Sequence, residues 1–500
     1  MATVELSQST SFYKKIFFAG WLTQFILTLI GFNWIYFVAS EFGQLNWILS
    51  LAALLLFAAF MHLYIPFSLV IGVWLVRKFK VYSKLSQFLI FALVLSLLER
   101  IWPSIFEWNL AYTLLWIKLP LYQWADSVGF WGLSTWILIV QAFITWALYT
   151  WKTKKSRSFI TIISVLLFVA IFSIMGQLKK ETWSKARDTV QFGMVQGNIG
   201  NLEKILAEKA DRFHLYILGI YTDLTDQHLK QHPETELMIW PETAMPFALD
   251  TNYHRLEAQK KLLSSVTAWN LPLITGAYAI DSTKRDHLGY PLTSNSVFFL
   301  GPNEKLLAEP YSKSDLLVFG EYMPFGEQIP FLYKLLPFVG VYKRGDGPTV
   351  NDVILKNKTL KIGSQICYES LNPSFSRGLA EKGAEIIFNV TNDSWFGWWA
   401  EPYQHNIMTL ARAIEVRRPL VRSTNTGIST VILANGTVLE TSKINEAWTH
   451  TFEIPYLKNP PQTFYTEYGH YDWIFWIFVL LGLIYASAYS SYRKGRHVHH

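Results

Sequence analysis

Apolar residues fall into two patterns along the chain. Six long runs, near Ile16–Ser40, Trp47–Val76, Leu85–Ile105, Val128–Trp151, Phe159–Gln177 and Trp473–Tyr489, are apolar nearly throughout. Each approaches or exceeds the roughly 17–25 residues that a helix needs to cross a bilayer. The second is long enough to tilt or to break near Pro66, and the third is interrupted near its end by Glu99 and Arg100. From Trp183 onward the runs shorten and alternate in kind. Val190–Val195, Leu237–Trp240, Leu271–Ala279, Val297–Leu300, Leu360–Ile366, Glu385–Val390, Pro419–Ser423 and Ser429–Leu433 predict strands. Leu202–Lys230, His254–Trp269, Pro373–Lys382 and Tyr403–Arg417 predict helices between them. That order predicts a layered α/β domain, with no internal repeat and no low-complexity linker.

The polar positions between the spans set an expected orientation. Lys14 and Lys15 precede the first span. Arg77, Lys78, Lys80 and Lys84 lie in the second loop, and Lys152, Lys154, Lys155 and Arg157 in the fourth. Arg493, Lys494 and Arg496 follow the last span, whereas the first loop has no Lys or Arg and the third only Lys118. Basic loops stay in the cytoplasm. The expected domains are therefore 1–177 as five spans, 178–471 outside the cytoplasmic membrane, and 472–500 as a sixth span with a cytoplasmic tail. In a Gram-negative bacterium the outer face is the periplasm. The first run is too long for the apolar core of a signal peptide, about 7–15 residues, and lacks a clean cleavage site, so it reads as an uncleaved span.

Composition sharpens this picture. The 21 Trp, 25 Tyr and 35 Phe suit a protein with membrane interfaces. The net charge of +7 invites a nucleic-acid partner. The basic residues instead gather in the short loops between spans, so none is expected. Cys367 is the one cysteine, which excludes an internal disulfide and a cysteine-based zinc site.

Candidate chemistry lies where strands end. Leu237–Trp240 runs into Pro241 and Glu242, and Leu360–Ile366 runs into Cys367 just before an expected helix. A cysteine at such a turn is exposed on a tight bend, and helix N–H groups nearby would favour its thiolate. Lys313 sits in Tyr-Ser-Lys-Ser, just before Phe-Gly-Glu-Tyr-Met-Pro. Taken singly, each has an ordinary reading: a buried small hydrophobe, a loop cap and a surface charge. Glu99 and Arg100 could bind a headgroup or form a structural ion pair. His405, at a helix start, reads as structural, and the tail residues His497, His499 and His500 are assigned no metal.

The strings Ile239-Trp-Pro-Glu-Thr, Tyr311-Ser-Lys and Gln365-Ile-Cys-Tyr-Glu resemble, in order, the three signatures of the nitrilase superfamily. Val195-Gln-Gly-Asn-Ile, Phe319-Gly-Glu-Tyr-Met-Pro-Phe, Asn389-Val-Thr-Asn-Asp-Ser-Trp-Phe-Gly and Arg418-Pro-Leu-Val-Arg-Ser-Thr-Asn-Thr-Gly-Ile-Ser extend the resemblance to the apolipoprotein N-acyltransferase family. It covers about residues 15–490. The resemblance implies a multi-pass helical membrane domain and an αββα sandwich with a Glu-Lys-Cys triad: Glu242, Lys313 and Cys367. Glu321 would orient Lys313, and Tyr368 and Glu369 match positions required for activity. The implied reaction moves an acyl chain from a phospholipid, with phosphatidylethanolamine the expected donor, to the α-amino group of an apolipoprotein's diacylglyceryl-cysteine. It would pass through a thioester on Cys367 without cofactor or metal.

Two features depart from the family pattern. About seven spans usually precede the domain and five are expected here, as if the chain opened at the third. A tryptophan often found after the Val-Gln-Gly-Asn-Ile string is replaced, the nearest match being Ile205. Two aromatic segments are expected to form mobile lids toward lipid. One is Met323–Lys343, with Phe325, Phe331, Leu332, Leu335, Leu336 and Phe338. The other is Trp395-Phe-Gly-Trp-Trp, with Trp395 and Trp398 around a Gly397 hinge. The alternatives are a membrane-tethered amidase acting on a small soluble amide, and a non-enzymatic lipoprotein-binding scaffold.

Overall fold

A computed structural model describes residues 10–186, 188–200, 212–249, 257–286, 289–336, 339–355 and 358–496. Ile205, Phe338, His497, His499 and His500 lie outside the described residues. The chain forms two units. One comprises Met1–Tyr36, Asn46–Lys179 and Glu467–His500; the other comprises Phe37–Leu45 and Lys180–Thr466.

The first unit is helical. Among the described residues, Trp47–Lys78, Pro120–Thr150, Lys155–Thr182 and Gly469–Ser490 are long and apolar enough to cross a membrane. Ser11–Gly31 and Ile35–Phe42, bent by 68°, make a fifth if counted as one span. The expected third span is a helix, Lys84–Ile101, whose Lys84, Glu99 and Arg100 leave it outside that set. Trp47–Lys78 is interrupted between helices ending at Phe60 and beginning at Tyr64. Pro66 falls in the first turn of the second helix, where no helical N–H bond is lost. Polar groups turn inward: the Thr28 hydroxyl meets His62 Nδ1 at 2.7 Å, Ser96 meets Thr135 at 2.5 Å, and Arg100 pairs with Asp472. Leu166, Leu167, Ile171 and Ile174 face outward from the Lys155–Thr182 helix. This inside-out arrangement is what a hydrocarbon solvent favours.

The second unit holds twelve described strands in two sheets. The first sheet contains β1 (Asp188–Gln196), β2 (Leu237–Ile239), β3 (Leu273–Arg285), β4 (Pro291–Leu300), β5 (Leu306–Ser312) and β12 (Trp448–Tyr456). Its order is β12-β1-β2-β3-β4-β5. The second contains β6 (Val350–Leu355), β7 (Lys358–Ile366), β8 (Ile386–Thr391), β9 (Leu420–Thr424), β10 (Thr430–Ile432) and β11 (Val438–Thr441). Its order is β6-β7-β8-β9-β10-β11. In each, three parallel strands are flanked by antiparallel ones. The parallel strands are joined through helices, as parallel connections require. Phe192 on β1 and Phe388 on β8, both buried, pack edge to face at 5.1 Å between the sheets. On the outer face of the first sheet, Tyr221 stacks 5.1 Å from Trp240, and Trp269 closes on Trp240 edge to face. Helices therefore cover the sheets from outside, giving the nitrilase-like αββα sandwich.

All eight expected strands form. The four that the hydrophobic pattern did not reveal, β5, β6, β11 and β12, are the four edges of the two sheets. Edge strands keep one side in water and carry polar residues accordingly. The two sheets also repeat one topology, although the sequence shows no internal repeat. The central strands β2, β8 and β9 are buried throughout without sharing residue identities.

Candidate active site

The backbone brings three distant segments together at strand ends. Glu242 follows β2 on a turn that sits directly against β3. A Cβ at Gly276 would lie 2.5 Å from the Thr243 nitrogen and 2.7 Å from the Glu242 Cα, so only glycine allows that approach. Lys313 follows β5; its N–H donates to the Asn295 carbonyl at 2.8 Å, and its own carbonyl accepts from Gly345 N–H at 2.8 Å. Cys367 ends β7 and opens a 3-10 turn, Cys367–Leu371. Its φ of +53° is left-handed, a region sparsely used outside glycine. Two side chains hold that backbone. Asn389 Nδ2 and Ser370 Oγ donate to the Cys367 carbonyl at 3.1 and 3.0 Å.

The side chains converge. Lys313 Nζ lies 2.8 Å from Glu321 Oε2 and 3.8 Å from Glu242 Oε1. Glu321 is fixed in turn by the Leu317 N–H at 2.8 Å. Asn295 Nδ2 bridges the two carboxylates, donating to Glu242 at 2.6 Å and to Glu321 at 3.2 Å. Burial alone would lower the Lys313 pKa. Glu321, Cys367 and Glu242 outweigh it and hold the ammonium above the ordinary lysine range. Burial pushes the Cys367 thiol well up, and Glu242 adds to this; Lys313 and the Thr391 hydroxyl oppose it without prevailing. The expected thiolate-favouring turn is thus overridden. The short 3-10 turn contributes few N–H groups, whereas the site is dry and contains a nearby carboxylate. The same burial therefore favours the neutral form of the Cys367 thiol.

Glu369 binds the Cys367 turn to the Lys313 loop. Its carboxylate accepts from Ile366 N–H at 2.7 Å, Ser314 N–H at 2.7 Å, Asp315 N–H at 3.0 Å and the Tyr311 hydroxyl at 2.6 Å. Burial raises it to about 7 against those bonds. The Tyr368 hydroxyl donates to Glu401 Oε1 at 2.6 Å. Asp393, Glu401 and His405 bring three possible ligand atoms within 4.8 Å of one another, the only such group among the described residues. Arg422 already occupies Asp393 Oδ2 at 2.7 Å.

The expected lid residues separate into two groups. Phe325, Phe331, Leu335 and Trp398 are exposed, while Leu332 and Leu336 pack on Met323, Tyr333 and Val339 in a small core of their own. Trp395 packs edge to face on Phe42 at 5.0 Å, and Trp399 on Phe37 at 5.5 Å. Gly397 has a φ of +81°, as a hinge position can.

Residues 1–143 match the apolipoprotein N-acyltransferase N-terminal domain, and residues 191–455 match the carbon-nitrogen hydrolase family. The apolipoprotein N-acyltransferase of Bdellovibrio bacteriovorus is 49% identical over 98% of this chain and 89% of its own length. The chain belongs to the apolipoprotein N-acyltransferase family. Two further apolipoprotein N-acyltransferases are more distant. That of Geobacter metallireducens is 27% identical over 97% of this chain and 88% of its own, and that of Rickettsia prowazekii 31% identical over 77% and 73%. Among solved structures, Saccharomyces cerevisiae Nit3 of the nitrilase superfamily is 14% identical, with a TM-score of 0.39 over 54% of this chain and 91% of that one. Membership in the apolipoprotein N-acyltransferase family implies acyl transfer, lipid-related substrates and a bacterial membrane setting.

Sequence reasoning missed Asn295, which bridges Glu242 and Glu321. The available signal was a lone amide beside the apolar run Val297–Leu300, now seen as part of the longer strand β4. It also missed Arg422 and Asn389, which lie in strings quoted for the family resemblance and support the nucleophile turn from below.

Proposed function

We propose that the chain transfers an acyl group from a phospholipid, expected to be phosphatidylethanolamine, to the α-amino group of an apolipoprotein's diacylglyceryl-cysteine. The observation that carries this is the convergence of Glu242, Lys313 and Cys367 in one buried cluster, where the neighbouring carboxylates hold the Lys313 pKa up and burial raises the Cys367 thiol. Glu242 takes the thiol proton as sulfur attacks the ester carbonyl. The oxyanion is stabilised by Lys313 and the backbone N–H of Tyr368. The C–O bond then breaks, Glu242 returns the proton to the departing lysophospholipid oxygen, and a thioester remains on Cys367. In the second half the acceptor amine attacks the thioester as Glu242 takes its proton, the C–N bond forms, the C–S bond breaks and Glu242 returns the proton to restore the thiol. Glu321 keeps Lys313 placed throughout.

Intact mass measurement after incubation with defined phospholipids tests the reading. An increment equal to one acyl chain on Cys367, cleared by a diacylglyceryl lipopeptide, is expected. Turnover of a small amide with no acyl increment would instead favour the tethered amidase.

Orientation belongs to the same proposal. Residues 178–471 face outward between an N-terminal membrane domain, 1–177, and the last span and cytoplasmic tail, 472–500, because the basic loops alternate. A cysteine at Lys154 in a Cys367→Ala background should resist a membrane-impermeant label. Its labelling from outside would overturn the orientation.

A further inference from the structure

Behind the nucleophile turn lies a set of buried charges that the mechanism above does not use. His405 sits on the Glu401–Val416 helix and is 1% exposed. Its Nδ1 lies 3.0 Å from Asp393 Oδ1 and 3.5 Å from Glu401 Oε1. Its ring stacks on Tyr368 at 4.8 Å with only 6° between the planes. Tyr368 is closed on another side by Phe396, edge to face at 5.2 Å, and its hydroxyl reaches Glu401. The backbone N–H of Tyr368 is the one that follows Cys367.

We infer that His405 is a positioning residue: its protonated ring, clamped between Asp393 and Glu401, fixes Tyr368 and with it the N–H that meets the oxyanion. The inference rests on the acyl-transfer reading above. Three arguments support it. First, a protonated His405 gives each of the two buried carboxylates a cationic neighbour, against the burial and the Asp393 charge that push the Glu401 carboxyl up. Arg422 offsets one of the two buried carboxylates at 2.7 Å from Asp393, which leaves Glu401 without a cation unless His405 supplies one. An uncompensated buried charge is strongly unfavourable. Second, a cationic ring stacked on a phenol is held more firmly than a neutral one. Third, the cluster continues to the nucleophile's own carbonyl. Ser370, which donates to the Cys367 carbonyl, bonds Thr409 at 2.8 Å and approaches His405 Nε2 at 3.4 Å. Arg422 reaches Asn389, the other donor to that carbonyl, at 2.9 Å.

The titratable and charged groups facing His405 are Asp393 from the turn after β8, Glu401 from its own helix, Arg422 from β9 and Tyr368 from the nucleophile turn. Burial and Arg422 pull the imidazole down, and Asp393 and Glu401 outweigh them, leaving it above the ordinary histidine range. The sign follows: the positioned state is fully present below the ordinary histidine value and is lost as pH rises through the elevated one.

The test is the pH profile of thioester formation on the full-length protein in lipid, with phosphatidylethanolamine as donor. The wild type should show an alkaline decline. His405→Asn keeps a hydrogen-bond donor but neither charge nor stacking. It should lower kcat about tenfold, leave KM for phospholipid unchanged and abolish the decline, since a small displacement near the reacting atoms is costly. Glu401→Gln keeps an acceptor for Tyr368 while removing the countercharge, so its decline should move to lower pH. A decline that persists in His405→Asn, or does not move in Glu401→Gln, overturns the inference, as does an effect confined to KM. A wild-type protein that forms no thioester overturns the acyl-transfer reading and this one with it. A thioester formed alike in wild type and both variants overturns only the role of His405.

Discussion

The two sheets of the α/β unit share strand order and the same change from parallel to antiparallel pairing, yet equivalent strand ends carry different chemistry. After β2 comes Glu242; after its counterpart β8 comes Asp393. After β5 comes Lys313; after its counterpart β11 comes Ser442. After β7 comes Cys367; after its counterpart β1 comes Gly197. One set of ends converges on the cluster proposed to react. The other is saturated by internal bonds. Gln196 Oε1 accepts from Thr424, Ser429 and Ser442 at 2.9, 2.6 and 2.9 Å, and its Nε2 donates to the Lys443 and Glu446 carbonyls. Asp393 is held by Arg422 and His405. Topology therefore supplies two equivalent places, and the side chains that occupy them separate the proposed reactive site from its structural counterpart.

The comparison can be broken at the reactive set first. Cys367→Ala should abolish both half-reactions, because the protein has no second thiol. Mass spectrometry after incubation with phospholipid would then show no acyl increment, and transfer to lipopeptide would be absent. Cys367→Ser should accumulate an oxyester, since an alkoxide leaves less readily than a thiolate. Transfer at the wild-type rate in Cys367→Ala would remove the thioester from the mechanism.

Next in size are the two partners. Glu242→Gln should slow thioester formation by about 10²–10⁴, the usual range for a lost general base. Lys313→Ala should cost about 10²–10³, as for an oxyanion donor. Burst kinetics of acylation separate these from effects on substrate binding, and normal acylation in Lys313→Ala would exclude Lys313 from the reaction.

The saturated set should fail differently, through the fold. Arg422→Ala removes the cation from fully buried Asp393 and a donor from Asn389. Breaking a buried pair from one side typically costs about 3–5 kcal/mol. Lys313→Ala should destabilise less, because Glu321 keeps the Leu317 N–H and Asn295 as donors. Denaturant unfolding of the two variants measures the difference. An Arg422→Ala protein as stable as Lys313→Ala would contradict the division into reactive and structural ends.

Much of this was legible in the sequence because it depends on period and punctuation. The parallel strands are largely buried, so they appear as short, mainly apolar runs, and two of those runs end at Glu242 and Cys367. The edges β5, β6, β11 and β12 were not legible, because half their residues face water and the alternation is diluted. Lys313 was readable only through its family string, since β5, which positions it, is one of those edges. Asn295 and His405 act through neighbours far away in sequence, and a single polar residue in a strand or helix does not reveal which carboxylate it will meet. The state of the thiol is illegible in the sequence for a similar reason. Its pKa is set by burial and by Glu242, which come from tertiary packing rather than from the turn itself.

The smallest effects should come from the aromatic segments near the site, which touch neither set of strand ends in the reaction. Phe331, Leu335 and Trp398 are exposed, whereas Leu336 belongs to the core formed with Tyr333 and Val339. If the exposed side chains form a lid toward lipid, each contributes contact with an acyl chain and little to the fold. Phe331→Ser, Leu335→Ser and Trp398→Ser should each lower phospholipid acylation by about 3- to 10-fold, consistent with the loss of part of one apolar side chain's burial. Alkylation of Cys367 by a small soluble electrophile should be unchanged in all three. Leu336→Ser is the contrasting case: it should lower acylation together with thermal stability, because it opens the small core. Trp395→Ser should also resemble a core change, since that ring packs on Phe42. Small-molecule alkylation that falls in step with acylation in the Phe331, Leu335 and Trp398 variants would mean that these residues support the structure, and that lipid reaches Cys367 by another route.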